Sequence, residues 1–211
     1  MDADYSIELG PTAPALEIPW QDPEGRSHYV NLRLEHGTVS REIACMDVAQ
    51  IPEARQFPAL GRFLVKLNLP ADPWQTAKCD VWLNETNAVE NLYNLGFEQS
   101  CYIDIVLAGN AAALRPSLEV HQRLAREFVR LLETNESLEA TAEIVVRRCY
   151  FHHSCEADDS DAGYCLTLFL FAYGASPPEA AECWEHTLGF AAECFLRLQP
   201  HDERAKAQEL S

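Results

Sequence analysis

The residues best suited to chemistry lie close together in CYFHHSCEADDSD, residues 149–161. Cys149, His152, His153, Cys155, Glu156, Asp158, Asp159 and Asp161 are all metal-ligand types. A soft ion such as zinc would take imidazole and thiolate, so His152, His153 and Cys155 are the candidate metal residues. His152 and Cys155 leave a strand end with two positions between them and can converge on one ion. Cys149 joins them only if the chain bends at 150–151, because it otherwise stays in the strand. A hard cation would instead take Glu156, Asp159 and Asp161. Neither spacing is a strong signal. No second Cys/His pair stands at finger spacing, and Asp159-Ser160-Asp161-Ala162-Gly163 copies only part of a calcium loop, without its downstream glutamate. The plainer reading, and the preferred one, is a solvated hairpin loop whose Asp, Ser and Gly residues form turns.

Three further groups are weaker. Cys183 and His186 share a helix face, and Cys194 returns to nearly the same face. An imidazole beside a thiol can activate it, but this helix is apolar almost all round, which points to packed, inert side chains. Arg41, Arg55 and Arg62 stand out in an acidic chain and can hold a carboxylate or phosphate; pairing with Glu42, Asp47 and Glu53 is the simpler expectation. The Asn- and Glu-rich stretch 84–94 reads as an exposed, capped short helix or turns. No GxGxxG, P-loop, GxSxG or HExxH occurs. The catalytic set is therefore empty, and the reading leans away from an enzyme.

Composition narrows the partners. Thirty-three acids against sixteen bases give a net charge of −17 in 211 residues, and the pI is near 4.7. A field of that sign repels phosphate backbones and anionic headgroups, so nucleic acid and membrane surfaces are excluded as first choices. A basic protein partner, or a second copy of the chain as a homodimer, fits better. MDADYSIELG has neither a basic n-region nor an apolar h-region, and no apolar run approaches the ~18 residues of a membrane span. The eight cysteines mostly fall inside expected elements. They read as reduced, packed thiols of a cytoplasmic protein rather than as a disulfide framework.

The elements that must position these groups follow from periodicity. Residues 163–173 alternate apolar side chains on both faces, the pattern of a central strand covered on both sides. ASPPEAAECWEHTLGFAAECFLRL then starts a helix at 177, with Ser176 as N-cap, Pro177 in the first position and Glu179 in the first turn. Upstream, residues 1–14 are expected to be a flexible N-terminal segment. Strands are expected at 15–20, 27–35, 39–46, 78–83, 100–108 and 140–151, and helices at 58–68 and 116–134. A short turn at 52–56 precedes Pro58, which cannot continue an unbroken helix. Residues 200–211 form a polar tail.

The expected fold is a single α+β domain over 15–199. It has a mainly antiparallel sheet with three long helices packed on one face, from a repeated ββα order. A ferredoxin-like arrangement of 40–151 is the second reading. Fold of this kind assigns no activity. The expected function is a non-enzymatic protein-interaction or chaperone-like module without a cofactor, presenting an apolar patch ringed by Asp and Glu. The alternative is a metal- or small-ligand-binding protein that uses the 149–161 loop, with zinc as its ion.

Overall fold

The structure is a computed structural model. It describes residues 1–10, 12–19, 30, 32, 47–69, 71–86, 91–152 and 160–201. The expected strands at 27–35 and 39–46 and nearly all of the tail lie outside the described residues, as do Arg41, His153 and Cys155.

Among the described residues six strands form one mixed sheet. They are β1 (Asp2–Glu8), β2 (Ala15–Ile18), β3 (Trp74–Glu85), β4 (Phe97–Leu107), β5 (Ala140–His152) and β6 (Ser160–Gly174). The order is β1-β5-β6-β4-β3, with β2 also paired to β5. The β3–β4, β4–β6 and β5–β6 pairs are antiparallel. β1 and β2 both run parallel to β5. The sheet is therefore α+β in class, as expected, but mixed rather than mainly antiparallel.

The parallel edge comes from residues 2–8, which were expected to be loose. Pro14 does lie outside any strand, but DADYSIE alternates. Ala3 and the half-buried Tyr5 pack against the main core, while Asp2 and Asp4 face out. The terminal ammonium donates to Asn135 O at 2.5 Å, which pins the start of the strand. The ferredoxin-like reading of 40–151 also fails on order. The place between β4 and β5, which that arrangement gives to the first strand of the segment, is held by β6 from outside it.

Among the described residues, the turn expected at 52–56 is instead a short helix, α1 (Pro52–Gln56), and α2 (Pro58–Leu67), α3 (Leu118–Leu132) and α4 (Pro177–Arg197) follow their sequence signals. Proline begins α1, α2 and α4, where its missing N–H would have no partner in any case. α2 ends at the buried Asn68, whose amide donates to Leu64 O at 2.8 Å and to Thr76 Oγ1 at 2.7 Å. That side chain also accepts from Thr76 N, so the helix stop is stitched to β3. Ser117 caps α3 by accepting from Val120 N. At α4 the expected cap, Ser176, makes no side-chain bond, and the Glu179 carboxylate accepts from Ala175 N–H at 3.1 Å instead. A 3₁₀ turn at Gly109–Leu114 lies between β4 and α3.

The three long helices and one face of the sheet enclose a single main core. Leu166, Leu168, Leu170 and Ala172 of β6 meet Leu64 and Leu67 of α2, Leu124 and Phe128 of α3, and Trp184 and Leu188 of α4. Phe195 is the hub. Its ring lies 4.2 Å from that of Phe128, 5.4 Å from that of Trp74 and 6.4 Å from that of Phe63, so one side chain joins α4 to α3, β3 and α2. The passage from β6 into α4 is tight. A Cβ at Gly174 would stand 2.3 Å from Ala180 N, closer than any side chain can be placed.

Candidate functional site

The loop singled out by ligand type is only partly brought together. His152 is the last residue of β5, opposite Ser160. Its Nε2 lies 3.5 Å from Glu17 Oε2 of β2 and is buried without a hydrogen bond. Cys149, three residues earlier on the same strand, points to the opposite face. There it is packed with Ile18, Val106, Phe151 and Cys165 in a second small core. Among the described residues no three His, Cys, Asp or Glu side chains gather in a metal-binding arrangement.

The thiols of Cys101, Cys165, Cys183 and Cys194 are held in their neutral form. Burial raises Cys101 to about 12 and Cys194 to about 11. Cys165 is raised well above the usual thiol value by its bond to Cys149 and then by burial. Burial also raises Cys183, which donates to Glu139 O, while His186 stays on the exposed side of the helix. A nucleophilic thiol needs the opposite shift. All six described cysteines are free. Arg62 does not take the expected acid near it in sequence; it pairs with Glu185 of α4 at 3.0 Å. In the Asn-rich stretch, Asn91 braces the loop. Its amide donates to Leu95 O and Thr86 Oγ1, and its oxygen accepts from Tyr93 N and Leu95 N. The described part is the end of β3 followed by turns, rather than helix.

The arrangement that periodicity alone did not assemble is the sheet face opposite the helices. Strand register places its residues in transverse rows. One row runs Trp82, Ser100, Phe171, Thr141, Asp2 across β3, β4, β6, β5 and β1. The next runs Asp80, Tyr102, Phe169, Glu143, Asp4 over the same strands. The second row is therefore aromatic at its centre and acidic at both ends, while the first is acidic only at its β1 end and carries Trp82 at its β3 end. Trp82 and Tyr102 rings stand 6.3 Å apart, and Tyr102 and Phe169 rings 6.1 Å apart. Trp82, Tyr102, Phe169 and Phe171 are all half-buried, so β6 is covered on both sides at Cys165 and Thr167, as its sequence suggested, but not at Phe169 and Phe171.

Below the aromatic rows a polar chain crosses the sheet. Glu8 Oε2 accepts from Arg147 Nε at 2.9 Å, and Arg147 Nη1 donates to Thr167 Oγ1 at 3.4 Å. Thr167 Oγ1 in turn donates to Asp104 Oδ1 at 2.5 Å. Arg147 also lies 5.2 Å from the Phe169 ring centre, a cation–π contact that fixes the ring's edge of the patch. Asp104 is only 6% exposed. Burial raises its carboxyl, against the Thr167 bond and the charges of Arg147 and Lys78.

At the β3 end of this face, where the register shifts between Thr76 and Cys79, a cavity of about 340 Å³ opens. Val30, Leu32 and Ile51 form apolar walls, and Glu53, Asp80 and Tyr102 add polar groups. The field there is negative. Burial first, and then Glu53, Asp80 and Asp104 among its neighbours, push the Cys79 thiol up to about 12. The signals for this face were present as the outward residues of β4 and β6, but their cross-strand neighbours depend on register between distant segments. Among the described residues no helix is long and apolar enough to cross a membrane. Comparison with known proteins yields no family model, curated protein or solved structure that matches the chain.

Proposed function

We propose that the protein is a non-enzymatic interaction module whose helix-free sheet face holds a basic segment of a partner protein. The observation that carries this reading is the half-exposed aromatic centre between acidic row ends, Asp80 on one side and Glu143 and Asp4 on the other. Large half-exposed aromatics give a partner apolar area at low conformational-entropy cost, as they do in interface hot spots. The carboxylates select the sign of the partner's charge and speed its approach. Self-pairing through the same face would set two acidic rims against each other, which disfavours it as the homodimer surface. That the six described cysteines are free supports a reducing compartment such as the cytoplasm.

The test is titration with a lysine-rich amphipathic peptide, followed by calorimetry and by mass in solution. Saturable binding that weakens with salt, and that is lost in Trp82→Ala with Tyr102→Ala, is the expected result. Equal binding of a glutamate-rich peptide of the same pattern would sink the proposal. So would a dimer that both substitutions dissociate.

A second reading, a metal- or small-ligand-binding protein using zinc at the 149–161 loop, has one observation in its favour. His152 Nε2 is buried beside Glu17 without a hydrogen bond. Stoichiometric zinc in the purified protein, lost when His152 and Cys155 are both replaced, would support it.

A further inference from the structure

On the far side of the helix layer, α2 and α4 bound an open groove of about 890 Å³, within the ~300–1,000 Å³ usual for small-molecule sites. Its lining runs from Arg55 in the last turn of α1 and Pro58 at the start of α2 to Leu69 just past α2 and Leu196 of α4. The ten residues of α2 make it about 15 Å long. Val65, Phe190 and Leu196 give it apolar walls.

Two features mark it as more than a seam between helices. The first is charge. Arg55, Arg62, Lys66, Glu185 and Glu193 are the charged groups of the lining, a balance of three cations to two anions, or +1, in a chain of −17. Both anions are already taken, Glu185 by Arg62 and Glu193 by Lys66. Arg55 is exposed and makes no ion pair among the described residues. The second is Gly189. It sits in the middle of α4, where glycine is the least favoured residue after proline. No close approach requires it, since a Cβ there would meet nothing within 4 Å. Its effect is to leave the groove floor without a wall.

We propose that this groove binds an amphipathic monocarboxylate of fatty-acid type, its hydrocarbon chain along α2 and α4 and its carboxylate on Arg55. An apolar trough with a single uncommitted cation at one end matches that chemistry. The groove lies across the sheet from the aromatic face, so its occupancy and peptide binding can fail independently.

Calorimetric titration with dodecanoate below its micellar range tests the proposal, with dodecyltrimethylammonium as the charge-reversed control. Dodecanoate should bind saturably and the cation much more weakly. Arg55→Glu, an exposed change that leaves the core intact, should weaken dodecanoate about tenfold, the size of a lost charged hydrogen bond. Gly189→Phe should fill the trough and abolish binding, while Gly189→Ala should keep it and raise the melting temperature. No dodecanoate binding, equal binding of the cationic control, or undiminished binding in folded Gly189→Phe would each overturn the assignment.

Discussion

The two faces of this one sheet are built from the same strands yet meet different surroundings. On the helix side, Leu166, Leu168 and Leu170 of β6 are 1% exposed or less. On the other side Phe169 and Phe171, their immediate neighbours in sequence, remain half-buried. Hydrophobicity of the strand does not distinguish them; the helices do, because all three long ones pack on one face. A sheet face left with aromatic side chains and acidic ends retains apolar area that burial against a partner can still remove from water. The covered face has no such area left.

The largest expected effect comes from breaking the covered side. Trp184→Ala should cost about 3–5 kcal/mol, the range for large-to-small aromatic core changes. The side chain is 1% exposed, and its ring meets Phe57 edge-on at 5.9 Å. Tyr102→Ala on the free face should cost less than about 1.5 kcal/mol, since a half-buried side chain returns only part of the usual burial energy. Urea melts of the two variants give the ratio directly. Equal losses would mean that the free face is as fully packed as the core, and the comparison would collapse.

His121 tests the helix side through pH. It lies in α3, 1% exposed, with Nδ1 donating to Ser117 O at 2.8 Å and Nε2 buried without a partner. Burial lowers its pKa below 6.5, against the opposing Ser117 and Tyr164 carbonyls. A base with a lowered folded pKa binds fewer protons when folded. Stability therefore rises with pH up to the unfolded value and is lost as the solution is acidified below it. His121→Phe should cost about 1 kcal/mol at neutral pH, for the lost hydrogen bond, and should flatten stability below about pH 6.5. An unchanged acid slope in that variant would assign the acid loss to other groups.

Asp104 on the free face has the opposite sign. Its carboxyl is raised above 3.8, chiefly by burial. An acid with a raised folded pKa binds more protons when folded, so stability falls as pH rises from the unfolded value through the folded one. Asp104→Asn keeps an acceptor for the Thr167 hydroxyl and carries no charge to desolvate. It should be neutral or stabilising near neutral pH and should remove part of that fall. A clear loss of stability at neutral pH would show instead that the Glu8–Arg147–Thr167–Asp104 chain depends on the carboxylate charge.

Legibility in the sequence followed the distance over which each feature is decided. Pro58 and Pro177 mark helix starts locally, and α2 and α4 begin at those residues, whereas the turn expected at 52–56 closes into the short helix α1. Strands β3 to β6 were recognisable from alternation, although β3 extends to Trp74–Glu85 beyond the expected 78–83. β1 was missed because its acidic alternation gains meaning only beside β5, where Tyr5 pairs with Ile144. The parallel sense of that pair is a long-range property that no short window carries. The candidate face shares this origin. Tyr102 and Phe169 were each readable as outward residues, but their adjacency requires the register of β4 on β6. The metal-ligand loop drew attention by composition, yet strand geometry sends Cys149 and His152 to opposite faces.

The smallest effect separates two causes for the covered face. Arg62 and Glu185 join α2 to α4 at 3.0 Å, but their side chains are 67% and 48% exposed. Lys66 and Glu193 form a second pair between the same helices. If these pairs held the helix layer together, the covered face would owe its cover to charge. Exposed pairs gain little from Coulomb attraction in water and lose side-chain entropy when they form, and measured values are about 0.2–1 kcal/mol. The apolar contacts beneath them, Phe63 on Phe195 and Phe57 on Trp184, are buried or partly buried and carry no such penalty. A double-mutant cycle of Arg62→Ala and Glu185→Ala should therefore give a coupling below about 0.5 kcal/mol that fades in high salt. A coupling above about 1.5 kcal/mol would exceed what an exposed pair can supply. The helix layer would then be a self-supporting unit resting on the sheet, and the contrast between the faces would have to be rebuilt on charge rather than on apolar packing.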